Sequence, residues 1–456
     1  MNQTVPTSTP LAARLAEFAA GAKPPEPVKA VGRRLLVDIV GLAVAARNTH
    51  YVRSALASAV DEGKCSVYGH SRRVGVYDAA LINGTAAHGE DFDDTFEGGP
   101  IHAGAVIVPA VLAIAEQRGL DGHAVMRGIA VGAELMCRMS LVAPQATHKA
   151  GFHPTAIFGA PAAAAAVGAA LGLGAEAITR ALGISGSLAS GIIEYLADGS
   201  STKRLHAGAA AQSGLRAALL AEAGFTGPVT VFEGSHGIYK AFAPSKTPDF
   251  LPLIEGLGRN WIVETLAFKP YACGTMTQPF IDCARQLAAA GVRAEEIVSI
   301  TCKVGDGTVH RLWEPLQEKH RPPNGYAGKF STPYCMAVGF LDGQAGLGQF
   351  TDERVADPGV RALAAKISYE VNPDDPYPRN FTGHLKAFLK DGSVHEFHQP
   401  HMRGGAHEPL PDAEMSAKFE ANLRFAGYSN SAIAVLRSRL DQVADGGTVD
   451  LSGARP

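Results

Sequence analysis

Between two apolar helical segments, the fourteen residues from Glu90 to Ala103 (EDFDDTFEGGPIHA) gather Asp91, Asp93, Asp94, Thr95 and His102, with His88 just ahead of them. Carboxylates, a hydroxyl and an imidazole this close perturb one another's proton affinity, which is the raw material of acid–base chemistry. A helix continuing from Tyr77 to Asp91 would put His88 and Asp91 on one face, three residues apart. The bend Glu97-Gly98-Gly99-Pro100 would then return His102 towards the acids. The same acids could equally be solvated at a helix end or cap the next helix.

Other segments add groups of matching chemistry. In Gly151-Phe152-His153-Pro154-Thr155, the residue before proline is kept extended, so His153 is held at a helix entry from which its ring can point into a cleft or into the core. The run Gly199-Ser200-Ser201-Thr202-Lys203-Arg204-Leu205-His206 reads as a small-residue loop feeding a helix. Its free N–H groups, the helix dipole and the Lys203 ammonium favour an anion, and a carboxylate fits better than a phosphate because the P-loop spacing is missing. Phe268-Lys269-Pro270-Tyr271 and Phe330-Ser331 leading to Tyr334 place a lysine and a tyrosine in apolar frames. There they serve packing or, for the lysine, an anion anchor.

Several function classes are disfavoured. With 41 Lys+Arg against 44 Asp+Glu the net charge is -3, so no basic field recruits nucleic acid or anionic lipid. The six cysteines form no C-x-x-C pair and have no zinc-ligand spacing. The N-terminus MNQTVPTSTPLAARL lacks a charged and then apolar leader, so the cytoplasm is the expected compartment. Thr155 to Ala175 is uncharged over a membrane-spanning length, but its Ala/Gly composition is weakly hydrophobic and predicts a buried helix. Gly172-Leu-Gly174 follows a helix rather than a strand, so it is not a dinucleotide fingerprint, and no serine sits in a G-x-S-x-G elbow. An aspartate-rich Mg²⁺ site of the isoprenoid-synthase kind would need a second carboxylate motif, which is missing.

The positioning elements are mostly helices as far as about residue 260, and 456 residues with 46% hydrophobic content suffice for more than one core. Ser8-Thr9-Pro10 is expected to cap a first short helix and Pro27 to open the next. Helical runs follow at Tyr77 to Gly89, Ala103 to Glu116, His123 to Ser140, Ala156 to Leu171, Ala175 to Leu182 and Ala207 to Ala223. From Glu264 the pattern changes: Val298 to Val304 alternates as a strand, and His384 to Leu389 with Val394 to Phe397 flank a Lys390-Asp391-Gly392-Ser393 turn as a hairpin. Helices return at Asp412 to Leu423 and Asn430 to Val443. The predicted class is mainly α, with residues 1–263 and 401–456 in a helical domain and 264–400 in a smaller α+β domain.

In chain order these blocks resemble the MmgE/PrpD family. The resemblance is carried by Val37-Asp38-Ile39-Val40-Gly41, Asn83-Gly84, His88, Asp91-Phe92-Asp93-Asp94-Thr95, His102-Ala103-Gly104, Pro109-Ala110 and GFHPTAIFG at 151–159. It continues with Lys203 to Gly208, Phe268 to Tyr271, Phe330 to Gly343, Arg403-Gly404, Pro409-Leu410 and Lys418-Phe419. It implies an inserted lid domain, a homodimer, no metal or organic cofactor, and a small di- or tricarboxylate as partner. The implied chemistry is proton abstraction or CO₂ loss next to a carboxylate. A 2-methylcitrate dehydratase-like hydro-lyase stands first, with an iminodisuccinate-type epimerase or a cis-aconitate-type decarboxylase as alternatives. A non-catalytic dimeric ligand-binding protein is the alternative of another class. The site residues implied are Asp91, His102, His153, Lys203 and Tyr334 for catalysis, and Thr95 and Lys269 for substrate, joined by Ser200 and Ser201 from the anion loop. Where many members have His-Pro, this chain has His102-Ala103, and its Phe96 to Ile101 loop differs from both the dehydratase and decarboxylase patterns.

Overall fold

A computed structural model describes residues 9–451 of the chain, which is mainly α-helical. It divides into two compact units: one holds the residues up to Gly89, Asp93–Leu266 and those from Ala426 on, and the other holds Glu90–Phe92 and Ala267–Phe425. Ser8, expected to cap the first helix, lies outside the described residues. That helix runs Leu11–Gly21 behind Pro10 without a side-chain cap.

The first unit is built around the Ala-rich helix Pro154–Leu171, with Pro154 at its first turn and His153 as its N-cap in the extended conformation expected before proline. By length and composition this helix could cross a membrane, but 94% of it is buried against the helices Gly104–Arg118, Gly122–Val142, Ala175–Gly186 and Thr202–Glu222. Small side chains explain the close packing. The helices Val76–His88 and Thr202–Glu222 touch through glycines: a Cβ on Gly84 would lie 2.7 Å from Gly208 Cα, and one on Gly208 would lie 2.0 Å from the Leu81 carbonyl oxygen. This contact sets the end of one helix, carrying His88, beside the start of the other, carrying Lys203 and His206. The helix begins at Thr202, so the stretch read as loop is already helical from Thr202 to His206. Gly199, left-handed at φ 70°, ends the preceding short helix Tyr195–Asp198. Likewise the Val76 helix stops at His88 and does not reach Asp91.

The second unit carries a four-stranded sheet in the order Ile367–Val371, Ile297–Val304, Gly383–Leu389, Val394–Gln399, its first pair parallel and the others antiparallel. The hairpin turns through Gly392 at φ 86°, with the Asp391 carboxylate accepting from the Ser393 N–H. Helix Gln278–Ala289 covers the hairpin strands and packs on helix Thr332–Asp342. Residues 401–425 belong here, not to the helical unit where the sequence suggested they would lie. The Phe268 N–H donates to the Gly404 carbonyl, Arg403 binds the Tyr271 hydroxyl and Asp282 at 3.1 Å each, and Lys418 of helix Asp412–Phe425 reaches the Phe92 carbonyl at 2.8 Å.

Helix propensity alone makes Gly→Ala favourable by up to about 1 kcal/mol. At Gly208 the helix contact reverses the sign, and Gly208→Ala is expected to lower stability by about 1–3 kcal/mol in denaturant unfolding. An unchanged or raised midpoint would contradict the close approach.

Candidate active site

Asp94 organises the start of helix Gly104–Arg118, because its two carboxylate oxygens accept from Ala103 N–H at 3.0 Å and Gly104 N–H at 2.9 Å. A Cβ on Gly104 would lie 2.4 Å from Asp94 Oδ1, so glycine is required there. The FEGGPI loop closes on itself, with Phe96 N–H donating to the Ile101 carbonyl, and so returns His102 towards Asp94. The His102 N–H donates to Thr155 Oγ1 at 3.2 Å, fastening it to the helix entry that bears His153.

Four imidazoles meet here. His88 and His102 lie 4.8 Å apart by ring centroids, His88 stacks on His153 at 5.6 Å, His102 and His153 are 6.5 Å apart, and His153 and His206 are 5.3 Å apart. The hydrogen bonds fix two tautomers. His102 Nδ1 lies 2.7 Å from the Asp94 carbonyl oxygen, which can only accept, so Nδ1 carries the proton and Nε2 the lone pair of the neutral ring. His88 Nδ1 donates to Asp93 Oδ2 at 2.7 Å, leaving a buried Nε2 with no hydrogen-bond partner. His153 and His206 face each other through their Nδ1 atoms at 3.2 Å.

Burial dominates the proton affinities. It pushes Asp94 up to about 7, helped by the charge of Asp93 and countered by the Gly104 N–H. It holds His153 well below the usual imidazole range, with His88, Lys203, His206 and His102 adding repulsion, and pushes His206 down to about 4. Lys203, half-buried in the first turn of its helix, is thus felt electrostatically at both rings.

One oxygen or nitrogen each from His88, Asp93 and His102 lies within 4.8 Å of the others, a donor set of the type that suits a transition metal. Asp93 Oδ2 is 2.7 Å from His88 Nδ1 and 3.7 Å from His102 Nδ1, but both nitrogens hold protons in the hydrogen-bond pattern above. In this arrangement Asp93 is hydrogen-bonded to His88, while His102 turns its Nδ1 proton to the Asp94 carbonyl.

Of the residues singled out from sequence, His102, His153 and Lys203 come together, and Thr95 is buried in the extended pair Thr95–Phe96 directly after Asp94. Ser200 and Ser201 have other partners: the Ser200 N–H binds Asp198 at 2.8 Å, and Ser201 Oγ meets His50 Nε2 at 2.9 Å. A carboxylate of the chain itself thus occupies the loop expected to greet a substrate. Asp91, Lys269 and Tyr334 belong to the second unit. Asp91 is left-handed at φ 53°, its carbonyl accepting from Lys269 Nζ at 3.0 Å and its Oδ2 from the Tyr326 hydroxyl at 3.3 Å. The acid that holds His88 is Asp93, not Asp91 as the helical spacing suggested. Tyr334 is buried, donates to the Gln349 carbonyl and packs on Phe350.

Sequence reasoning gave no role to His206, Lys329 or Lys418, and it named Asp94 only among the acids that could cap the next helix, which is what its carboxylate does. His206 lies three residues after Lys203, a helical spacing that would have exposed it had the helix start been placed at Thr202. Lys329 and Lys418 complete a row within the second unit, where three buried ammonium groups grip three consecutive carbonyls. Lys329 binds Glu90 at 2.8 Å, Lys269 binds Asp91 at 3.0 Å and Lys418 binds Phe92 at 2.8 Å.

The raised Asp94 has a measurable consequence. Between its ordinary value of 3.8 and about 7 the native protein holds a proton that the unfolded chain has released, so this group's contribution to stability falls as pH rises through that window. His153 and His206 act in the opposite sense, but they are common to wild type and Asp94→Asn and cancel in the difference. The stability difference, wild type minus Asp94→Asn, should therefore decrease from pH 4 to pH 7 in denaturant titrations, and a flat difference would contradict the buried, proton-retaining carboxyl.

Comparison with known proteins bears on both units. Residues 13–251 match the MmgE/PrpD N-terminal domain and residues 271–442 the MmgE/PrpD C-terminal domain. The chain is 28% identical over 448 residues to a cis-aconitate decarboxylase-like protein, oryM, of Aspergillus oryzae, covering 91% of this chain and 92% of that protein. It is 30% identical over 360 residues to cis-aconitate decarboxylase of Homo sapiens, covering 75% and 72%, and 29% identical over 368 residues to the Mus musculus enzyme of the same name, covering 75% and 71%. With matches to both domains across most of its length, the chain belongs to the MmgE/PrpD family.

Proposed function

We propose that this protein is a lyase that removes CO₂ from a small polycarboxylate, with cis-aconitate as the first candidate substrate. The observation that carries the reading is the meeting of His102 with the buried His153 in one imidazole cluster within the electrostatic reach of Lys203. Breaking a C–CO₂ bond leaves its electron pair on carbon, delocalised onto a neighbouring carboxylate. The site must then supply a cation for that charge and a proton for the carbon. Lys203 serves as the cation and His153 as the proton donor. His102, whose tautomer presents a basic Nε2, accepts a proton or a hydrogen bond from the substrate.

The names of the relatives favour decarboxylation over the dehydration that the family resemblance alone put first, and they lend nothing to epimerisation. The reading uses groups of the helical unit alone. Ser200 and Ser201 have no part in it, since their partners are Asp198 and His50.

Incubation with cis-aconitate in D₂O, followed by NMR, should give loss of CO₂ with one deuteron in its place. Unreacted cis-aconitate, together with loss of water from 2-methylcitrate, would move the assignment to a hydro-lyase. A general acid or base contributes roughly 10²–10⁴-fold. His102→Ala and His153→Ala should therefore each lower kcat by more than about tenfold, and Lys203→Ala should lower kcat/KM markedly. Losses below that for both histidines would defeat the assignment.

A further inference from the structure

The Nδ1 atoms of His153 and His206 lie 3.2 Å apart and both side chains are buried. Two ring nitrogens at this distance attract only when a single proton lies between them, since two lone pairs or two N–H groups would repel. We propose that His206 is a positioning residue that sets which nitrogen of His153 carries its proton and refills that ring with a proton during turnover. This rests on the assignment of His153 as proton donor above.

Local structure holds the pair face to face. The His153 N–H donates to the Gly191 carbonyl at 2.8 Å. Gly191 has φ 143°, and a Cβ there would lie 2.6 Å from Ala156 Cβ and 3.3 Å from His206 Cγ, so only glycine leaves room for the His206 ring. Tyr195 sets its edge against both rings, at 6.2 Å from His153 and 5.7 Å from His206. The remaining titratable groups facing His153 are His88, His102 and Lys203. Burial first, and then repulsion from these neighbours, keep His153 neutral and leave the shared proton as the variable.

The two positions of that proton have different chemistry. With it on His206 Nδ1, neutral His153 carries its own proton on Nε2 and is an acid. With it on His153 Nδ1, Nε2 holds the lone pair and is a base. In decarboxylation the C–CO₂ pair stays on carbon and takes the Nε2 proton of His153, His153 Nδ1 takes the proton of His206, and His206 Nε2 takes one from water. The hydroxide left behind combines with CO₂ as bicarbonate, so a substrate carboxylate and water become a C–H bond and bicarbonate with charge conserved. Neither ring ends charged, which a buried pair requires, and the starting tautomers return when His153 Nε2 takes a proton from water, His153 Nδ1 passes its proton back to His206 Nδ1, and His206 Nε2 releases one to solvent.

Histidine-selective long-range ¹H–¹⁵N spectra of the wild-type protein at neutral pH should show one of the two rings protonated at Nδ1 and the other bare there. Both Nδ1 atoms bare, or both protonated, would overturn the proposal, and this readout does not depend on turnover. Failure of cis-aconitate to react would thus count against the proposed function alone. With cis-aconitate, His206→Phe should lose at least about tenfold in kcat with KM within about twofold of wild type. It should also turn a multi-proton solvent isotope inventory into a single-proton one. His206→Gln, whose amide still donates to His153 Nδ1, should keep its KM and recover part of kcat. Wild-type kcat and isotope behaviour in His206→Phe would overturn the relay.

Discussion

A neutral imidazole has one N–H and one lone pair, and packing four rings together, three of them buried, makes the direction of each Nδ1 proton decisive. That restriction orders the centre. His88 points its Nδ1–H at Asp93, His102 points its Nδ1–H at the Asp94 carbonyl, and His153 and His206 share one proton between them. Solvent would relax the restriction by protonating the rings, but desolvation and mutual repulsion hold His153 and His206 well below the usual imidazole range. Because Nδ1 is committed on His102 and on His88, the chemically available face of each ring is Nε2.

The helical unit supplies this arrangement through small residues and through the turn that Asp94 caps. Gly84 against Gly208 and the Ala-rich core helix let helices approach closely enough to bring histidines from four separate stretches of sequence into one cluster. Asp94 fixes the turn before His102 by capping the following helix, and its own burial keeps it protonated to unusually high pH. Just upstream, the Glu90, Asp91 and Phe92 carbonyls each receive a buried lysine ammonium. Burying such charges is costly without partners, so each lysine holds its carbonyl firmly: Lys329 adds an ion pair to Glu90 at 3.0 Å, and Lys418 sits 4.1 Å from the centre of the Phe92 ring. Within the second unit the three lysines thereby tie down this short acidic segment.

Sequence periodicity was enough to place the mainly helical class, the Val76 and Ala-rich helices and the Gly392 hairpin, because each rests on local rules of apolar spacing, capping and turn chemistry. His102 and His153 were picked out by residue type and by the backbone set by Pro154, and the structure brings their rings to 6.5 Å of each other. The pairing of acids with rings was not. Asp91 and Asp93 differ by two positions, and only the stop of the helix at His88 decides that Asp93 takes the hydrogen bond. Ser200 and Ser201 looked like an anion cradle because their N–H and hydroxyl groups are counted without their partners. Asp198 two residues earlier and His50, distant in sequence, take those groups. The grouping of residues 401–425 with the second unit depends on Arg403 and Lys418 finding partners more than a hundred residues away, which no local pattern encodes.

Membership of the MmgE/PrpD family sets the chemical frame, and the ordered protons give it a direction. Neutron diffraction from crystals grown in D₂O at neutral pD would locate those protons directly. The account predicts deuterons on Nδ1 of His88 and His102 and one deuteron between the Nδ1 atoms of His153 and His206. A bare Nδ1 on His88 or His102, or Nδ1 deuterated on both or on neither of His153 and His206, would contradict it.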